Sequence, residues 1–204
     1  MIEKNSIIFA PMEGITDGIF RHFIDQLYPE WDYYYTDFLR LPSVGNFSEK
    51  HLIKHFGVRA YADKSHFQKT AYQILAASNC HIQETVESLI KIGVRHLDLN
   101  LGCPSKTVTS HHGGSYLLQD MPALIAIVQT IRKTFPFFFS CKMRVGYHDD
   151  RNFINVLKLL EDNGVNLITV HGRTRDQLYC GVADWNYTAA AVKAVKIPIV
   201  GNGD

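Results

Sequence analysis

The sequence predicts an α/β fold built on a parallel sheet, and three observations carry that prediction. Strand-like and helix-like segments alternate about seven times at short intervals. The strand segments are continuous apolar runs, as a sheet covered by crossover helices on its faces requires. No Gly-x-Gly-x-x-Gly follows the first strand. That missing signature weakens the dinucleotide-binding open sheet and favours a (β/α)8 barrel.

The elements follow in order. Ile7 to Ala10 is an apolar run ended by Pro11, and Met12-Glu13-Gly14 leaves it as a loop. Thr16 or Asp17 can cap a helix through Gln26 that turns Ile19, Phe20, Phe23 and Ile24 inward. Tyr33 to Thr36 is a second strand, landing on Asp37-Phe38-Leu39-Arg40, and residues 42–69 have no clear period. Ala71 to Leu75 is a third strand carrying Gln73, and His81 to Ile92 is an amphipathic helix stopped by Gly93. His96 to Leu99 is the fourth strand, followed by a long polar loop with Cys103 and Gly113-Gly114. Pro122 starts a helix to about Thr134. Phe137 to Met143, Leu167 to Val170 and Ile197 to Val200 are the last three strands, with helices at Arg151 to Asn163 and Asn186 to Lys196 between them.

The totals exclude several classes. The 204 residues suffice for one domain, 1–204, with a sizeable core, and 46% hydrophobic and 20% charged residues are ordinary for a globular protein. A net charge of +1 announces no global field for nucleic acid, so such a contact must come from a local patch. The four cysteines are far apart and form no Cys-x-x-Cys pair, which argues against a metal site or disulfide framework and fits the cytoplasm. The amino terminus carries an acid early, unlike a signal peptide, and no run reaches membrane-spanning length.

In a barrel the carboxyl ends of the strands form the functional face. Those positions hold Met12 and Glu13, Asp37 and Arg40, Gln73, Asn100 and Cys103, Lys142 and Arg144, His171 and Arg173, then Asn202. Nearly every strand thus delivers a polar or ionisable group to one rim, the pattern of an active site. Lys106, Lys142, Arg144, Arg173 and Arg175 concentrate positive charge there and suit a polyanion or a phosphorylated cofactor. Taken singly, these cations also read as solvated surface groups, and Cys103 as a small buried hydrophobe.

Five motifs then stand in order: Ala-Pro-Met-Glu-Gly at 10–14, Asn-Leu-Gly-Cys-Pro-Ser-Lys at 100–106, Lys-Met-Arg at 142–144, His-Gly-Arg-Thr at 171–174 and Gly-Asn-Gly-Asp at 201–204. Together they resemble the tRNA-dihydrouridine synthases over essentially the whole chain, and most of all the C-type bacterial branch, associated with D-loop uridine sixteen. The resemblance implies an FMN-binding TIM-type barrel that takes hydride from NADPH and reduces the C5–C6 bond of a tRNA uridine. It implies Cys103 as the proton donor to C5. Pro11, Met12 and Glu13 would border the flavin, Gln73 would hydrogen-bond it, and Lys142 would sit near its N1–O2 edge with His171 beside it. Asn202, Gly203 and Asp204 would lead toward the phosphate. Asn100 would hold the extruded uracil, while Arg40 and Arg144 would contact RNA. A full-length monomer without metal or membrane is implied as well.

Two departures from the family pattern stand out. Thr109-Ser110-His111-His112 replaces the usual Asn-led continuation after the cysteine loop. The family's eighth strand, with its Gly-Arg phosphate grip, and its helical domain have no counterpart in the 204 residues. Only about seven β/α units are therefore expected, with the apolar first and seventh strands left as free edges. Such a chain is expected to bind FMN weakly or not at all, to lack tRNA reduction and to associate through its edges. Alternatives are another FMN barrel reducing free pyrimidines, such as a dihydroorotate or dihydropyrimidine dehydrogenase, or a non-catalytic fragment.

Overall fold

A computed structural model describes residues 3–78 and 80–204. All strands run parallel: β1 (Ile8–Phe9), β2 (Tyr33–Tyr35), β3 (Leu39–Arg40), β4 (Thr70–Leu75), β5 (His96–Leu101), β6 (Phe138–Arg144), β7 (Leu167–His171) and β8 (Ile199–Asn202). The sheet order is β1-β2-β4-β5-β6-β7-β8, and β3 pairs with the end of β4. Because β2 pairs with the start of β4 and β3 with its end, the two are one strand position interrupted at residues 36–38. The result is a curled parallel sheet of seven positions, a partial barrel in which β1 and β8 do not pair with each other among the described residues.

Helices cover the outer face: α1 (Gly18–Leu27), α5 (Ile82–Lys91), α7 (Met121–Thr134), α8 (Phe153–Asp162) and α9 (Asn186–Ala194). The aperiodic stretch before β4 folds as three short helices, α2 (Glu49–Phe56), α3 (Val58–Ala62) and α4 (Lys64–Gln68). A short α6 (Lys106–Thr109) and a 3-10 turn (Gly114–Leu118) follow Cys103. Strand alternation divides the residues. Leu97, Leu99, Leu101, Phe139, Cys141, Met143, Ile168 and Val170 join the core beneath the helices, while His96, Asp98, Asn100, Ser140, Lys142 and Thr169 occupy the alternate, inner positions.

The elements shift from the sequence expectation by one to two residues, and β5 extends through Leu101. One face differs outright. Ile19 and Phe23 of α1, expected inward, are 78% and 56% exposed, and the helix buries Gly18 and Arg21 instead. The cause is a close helix approach. A Cβ at Gly18 would lie 2.4 Å from the Cα of Gly57, itself at φ +99°, so no other residue fits that contact. Arg21 donates to the carbonyls of Thr16 at 2.5 Å and Phe56 at 2.6 Å and lies over the Phe56 ring, which lets a guanidinium be buried where an apolar residue was expected. Of the two candidate caps for α1, Asp17 accepts from the N–H groups of Ile19 and Phe20, while Thr16 bonds to the Met12 backbone instead.

Candidate active site

The strand ends enclose a cavity of about 720 Å3 lined by Pro11, Met12, Glu13, Gln73, Asn100, Cys103, Lys142, Arg144, His171, Asn202, Gly203 and Asp204, among others. The sequence-predicted residues therefore converge, with one exception. Arg40 is exposed and lines a neighbouring cavity of about 460 Å3 with Cys80, His111 and His112.

Cys103 is clamped at both ends of its peptide unit. Its N–H, at 2.9 Å, and that of Gly102, at 3.0 Å, donate to Asn100 Oδ1. Its carbonyl accepts from Ser115 Oγ at 2.7 Å and from the Ser115 N–H at 3.3 Å. Gly114, at φ +59°, makes this clamp possible: a Cβ there would come within 3.2 Å of the Cys103 Cβ and 3.1 Å of its carbonyl oxygen. Burial pushes the Cys103 thiol up; the Ser105 N–H and the charges of Arg40 and Arg144 only partly oppose it, and Glu13 reinforces it. The group is thus held as a neutral thiol at pH 7.

Asn100 in turn donates from Nδ2 to Gln73 Oε1 at 2.9 Å, and Gln73 Nε2 donates to Asp98 Oδ2 at 2.7 Å. Ser140 donates its hydroxyl to Asp98 Oδ1 at 2.5 Å. Since that hydrogen is committed to the carboxylate, His96 Nε2, 2.9 Å from Ser140 Oγ, must be the donor of its pair. The imidazole is neutral, since burial pulls it down to about 3. Asp98 and Ser140 were not foreseen as part of the site. Their signal was the two-residue spacing from Asn100 and Lys142, which puts them on the same inner face.

Lys142 has no hydrogen-bond or ion-pair partner among the described residues. Burial pulls its ammonium down to about 8, with the Asp98 charge opposing. His171 is held neutral, down to about 4, first by burial and then by the charges of Lys142, Arg144 and Arg173. Arg144 is only 4% exposed. It donates to the carbonyls of Gly102 at 3.0 Å, Thr174 at 2.8 Å and Leu178 at 2.7 Å, tying the Cys103 loop to the loop after β7. Arg173 is likewise buried and donates to Asp204 at 2.6 Å, whose carboxylate also accepts from the Ala183 N–H. Two groups expected to face ligand or RNA, Asn100 and Arg144, therefore spend most of their hydrogen-bonding capacity on the protein, and Asp204 commits one carboxylate oxygen to it. Among the described residues no cluster of three His, Cys, Asp or Glu suits a metal ion, and no helix is long and apolar enough to cross a membrane.

Residues 8–204 match the family described as Dihydrouridine synthase (Dus). The chain belongs to the dihydrouridine synthase family. Curated relatives include a probable tRNA-dihydrouridine synthase of Rickettsia conorii, 31% identical over 98% of this chain and 59% of that protein. A tRNA-dihydrouridine(16) synthase of Pseudomonas syringae is 31% identical over 97% of this chain and 63% of that protein. A tRNA-dihydrouridine synthase B of Pseudomonas aeruginosa is 32% identical over 98% and 58%. The chain thus spans about 60% of the length of these relatives. Among solved structures, oxaloacetate acetylhydrolase aligns with a TM-score of 0.57 at 14% identity, covering 97% of this chain and 66% of that one. That likeness concerns the barrel fold alone. Within the dihydrouridine synthases, relatives named (16) and B lie at nearly equal identity, 31% and 32%.

Proposed function

We propose that this chain carries the flavin-binding and proton-donating centre of a tRNA-dihydrouridine synthase, an oxidoreductase that uses FMN and NADPH to reduce a D-loop uridine, with position sixteen as the first candidate. The observation that carries this reading is the pairing of a neutral, clamped Cys103 thiol with an unpartnered Lys142 on one cavity, in a chain of this family. The residues fit a flavin. The cavity lies within the roughly 300–1,000 Å3 range of cofactor sites. Lys142 supplies a cation without a protein counter-ion in contact, Gln73 keeps one amide hydrogen, and Pro11, Met12 and Glu13 offer a wall. Asn202, Gly203 and Asp204 lie at the end of β8, where a phosphate is expected.

An FMN held here would supply the hydride for reduction of the uracil. Cys103 supplies the proton that C5 takes up, and the raised affinity of its thiol for that proton keeps it loaded at neutral pH. Lys142 would hold positive charge beside a flavin in this cavity, and such a charge stabilises the reduced ring. Asn100 keeps one Nδ2 hydrogen for the extruded base, while Arg40 and Arg144 would contact the RNA. A tRNA substrate and four free cysteines both suit the cytoplasm.

The test begins with FMN titrated into this chain extended to the length of its relatives, and followed by quenching of flavin fluorescence. NADPH and an unmodified tRNA transcript are then added, and dihydrouridine is counted by mass spectrometry of the nucleosides. Cys103→Ala is expected to keep FMN binding and its reduction by NADPH while losing at least about a hundredfold in dihydrouridine formation. An unchanged rate removes Cys103 as the donor, and absence of FMN binding removes the flavin reading. Turnover of free uracil in place of tRNA assigns the site to the pyrimidine reductases instead.

A further inference from the structure

Asp98 is fully buried two residues before Asn100, beneath the cavity rather than lining it. Its neighbours form a chain of hydrogen bonds with a direction. The carboxylate can only accept, so Gln73 must turn Nε2 toward it and Oε1 toward Asn100. Asn100 must then turn Nδ2 toward Gln73, which leaves Oδ1 for the N–H groups of Gly102 and Cys103. Reversing either amide sets donor against donor at the next link. At the other end of the chain, Ser140 donates to the carboxylate and His96 donates to the Ser140 hydroxyl oxygen.

We propose that Asp98 is a positioning residue of this site: by fixing which way the Gln73 and Asn100 amides point, it anchors the Gly102–Cys103 backbone and sets the thiol over the cavity. The bearing on catalysis rests on the proposed role of Cys103, whereas the anchoring does not. The central links are buried, with Gln73, Asp98 and Ser140 at 0% and Asn100 at 8% exposed, so water cannot replace a lost partner there at low cost. The arrangement also explains how an Asp and a Lys share one interior without an ion pair. The carboxylate is satisfied by Ser140 and Gln73, and the ammonium stays available to the cavity.

A purely structural or purely electrostatic Asp98 makes different predictions. Asparagine keeps an acceptor for Gln73 while removing the charge; leucine removes both. The readout is amide hydrogen exchange of the full chain, resolved by residue with NMR and followed at Gly102 and Cys103. Asp98→Asn is expected to leave those two amides within about threefold of the parent, whereas Asp98→Leu accelerates them by about tenfold, the scale of one lost buried hydrogen bond. Amides of Leu89, Val128 and Leu160 in the covering helices are expected to stay unchanged in both. Parent-like protection in Asp98→Leu overturns the proposal, as does equal loosening in Asn and Leu, which assigns the effect to charge. Should Asp98→Leu fail to fold, Gln73→Met cuts the same chain one link nearer the loop. Loosening of the same two amides there supports the proposal and unchanged protection overturns it. Because no flavin or tRNA is needed, an anchored loop in a protein that forms no dihydrouridine separates failure of the functional reading from failure of this one.

Discussion

The interior between β4 and β7 and the flank formed by β1 and α1 invert the usual distribution of residues. Gln73, Asp98, Asn100, Ser140 and Arg144 are buried and polar, while Ile7, Ile15, Ile19, Phe23 and Leu27 are apolar and exposed. The interior tolerates its polarity because each of these groups meets partners: Asp98 has two donors, Asn100 Oδ1 two, and Arg144 three carbonyls. The flank has the opposite problem. Its helix spends its packing face on Gly18 and Arg21 against α2 and α3, and β1 contributes only two residues to the sheet. Polarity inside is thus a matter of satisfied bonds, and apolarity outside a matter of which face a close helix contact claims.

The largest test of this contrast falls on the interior, through pH. Burial holds His55 down to about 4, His96 to about 3 and His171 to about 4, all below the 6.5 of the unfolded chain. Between these limits the unfolded chain binds more protons, so stability present above pH 6.5 is lost as the pH falls toward 4. Asp98, pushed up to about 6 by burial, works the other way and gains stability as pH falls from 6 toward 3.8. The three histidines together lose on the order of 6–7 kcal/mol between pH 6.5 and 4.5 and Asp98 returns about 2, leaving a net loss of roughly 5 kcal/mol, read from urea midpoints. A flat or rising profile would show the imidazoles to be better solvated than their positions imply. Next, Arg144→Met removes three carbonyl partners from two loops while keeping most of the volume, and is expected to cost about 3 kcal/mol in urea denaturation. A cost below about 1 kcal/mol would mean those carbonyls find water and the interior is not a closed network.

The smallest effect is expected on the flank. Ile19→Ser and Phe23→Ser should each change stability by no more than about 0.5 kcal/mol, as exposed positions do. Losses of 2 kcal/mol or more would show that this face is covered in solution, and sedimentation would then reveal whether a second copy covers it.

Local pattern settled a good deal by itself. Apolar runs, caps and glycines predict the alternation of parallel strands and helices and place Gln73, Cys103, Lys142, His171 and Asn202 on one rim, because strand period and strand end are properties of neighbouring residues. The helices within 42–69 escaped, since α3 and α4 span five residues each and show no usable period. The inward face of α1 was misjudged because a Gly–Gly contact and a carbonyl-bound Arg21 outweigh a stripe of isoleucine and phenylalanine. What only the tertiary structure decided is who holds whom. Asn100 and Arg144 look like ligand-facing groups in the sequence, yet their partners lie on the Cys103 loop and on segments 27 to 34 residues away. Asp98 carries no motif of its own, and its partners, Gln73 and Ser140, lie 25 and 42 residues distant. A hydrogen bond depends on distance and on which atom faces which, and both are fixed only when strands settle into register. Periodicity names the face of a strand, and the register of its neighbours names the partner.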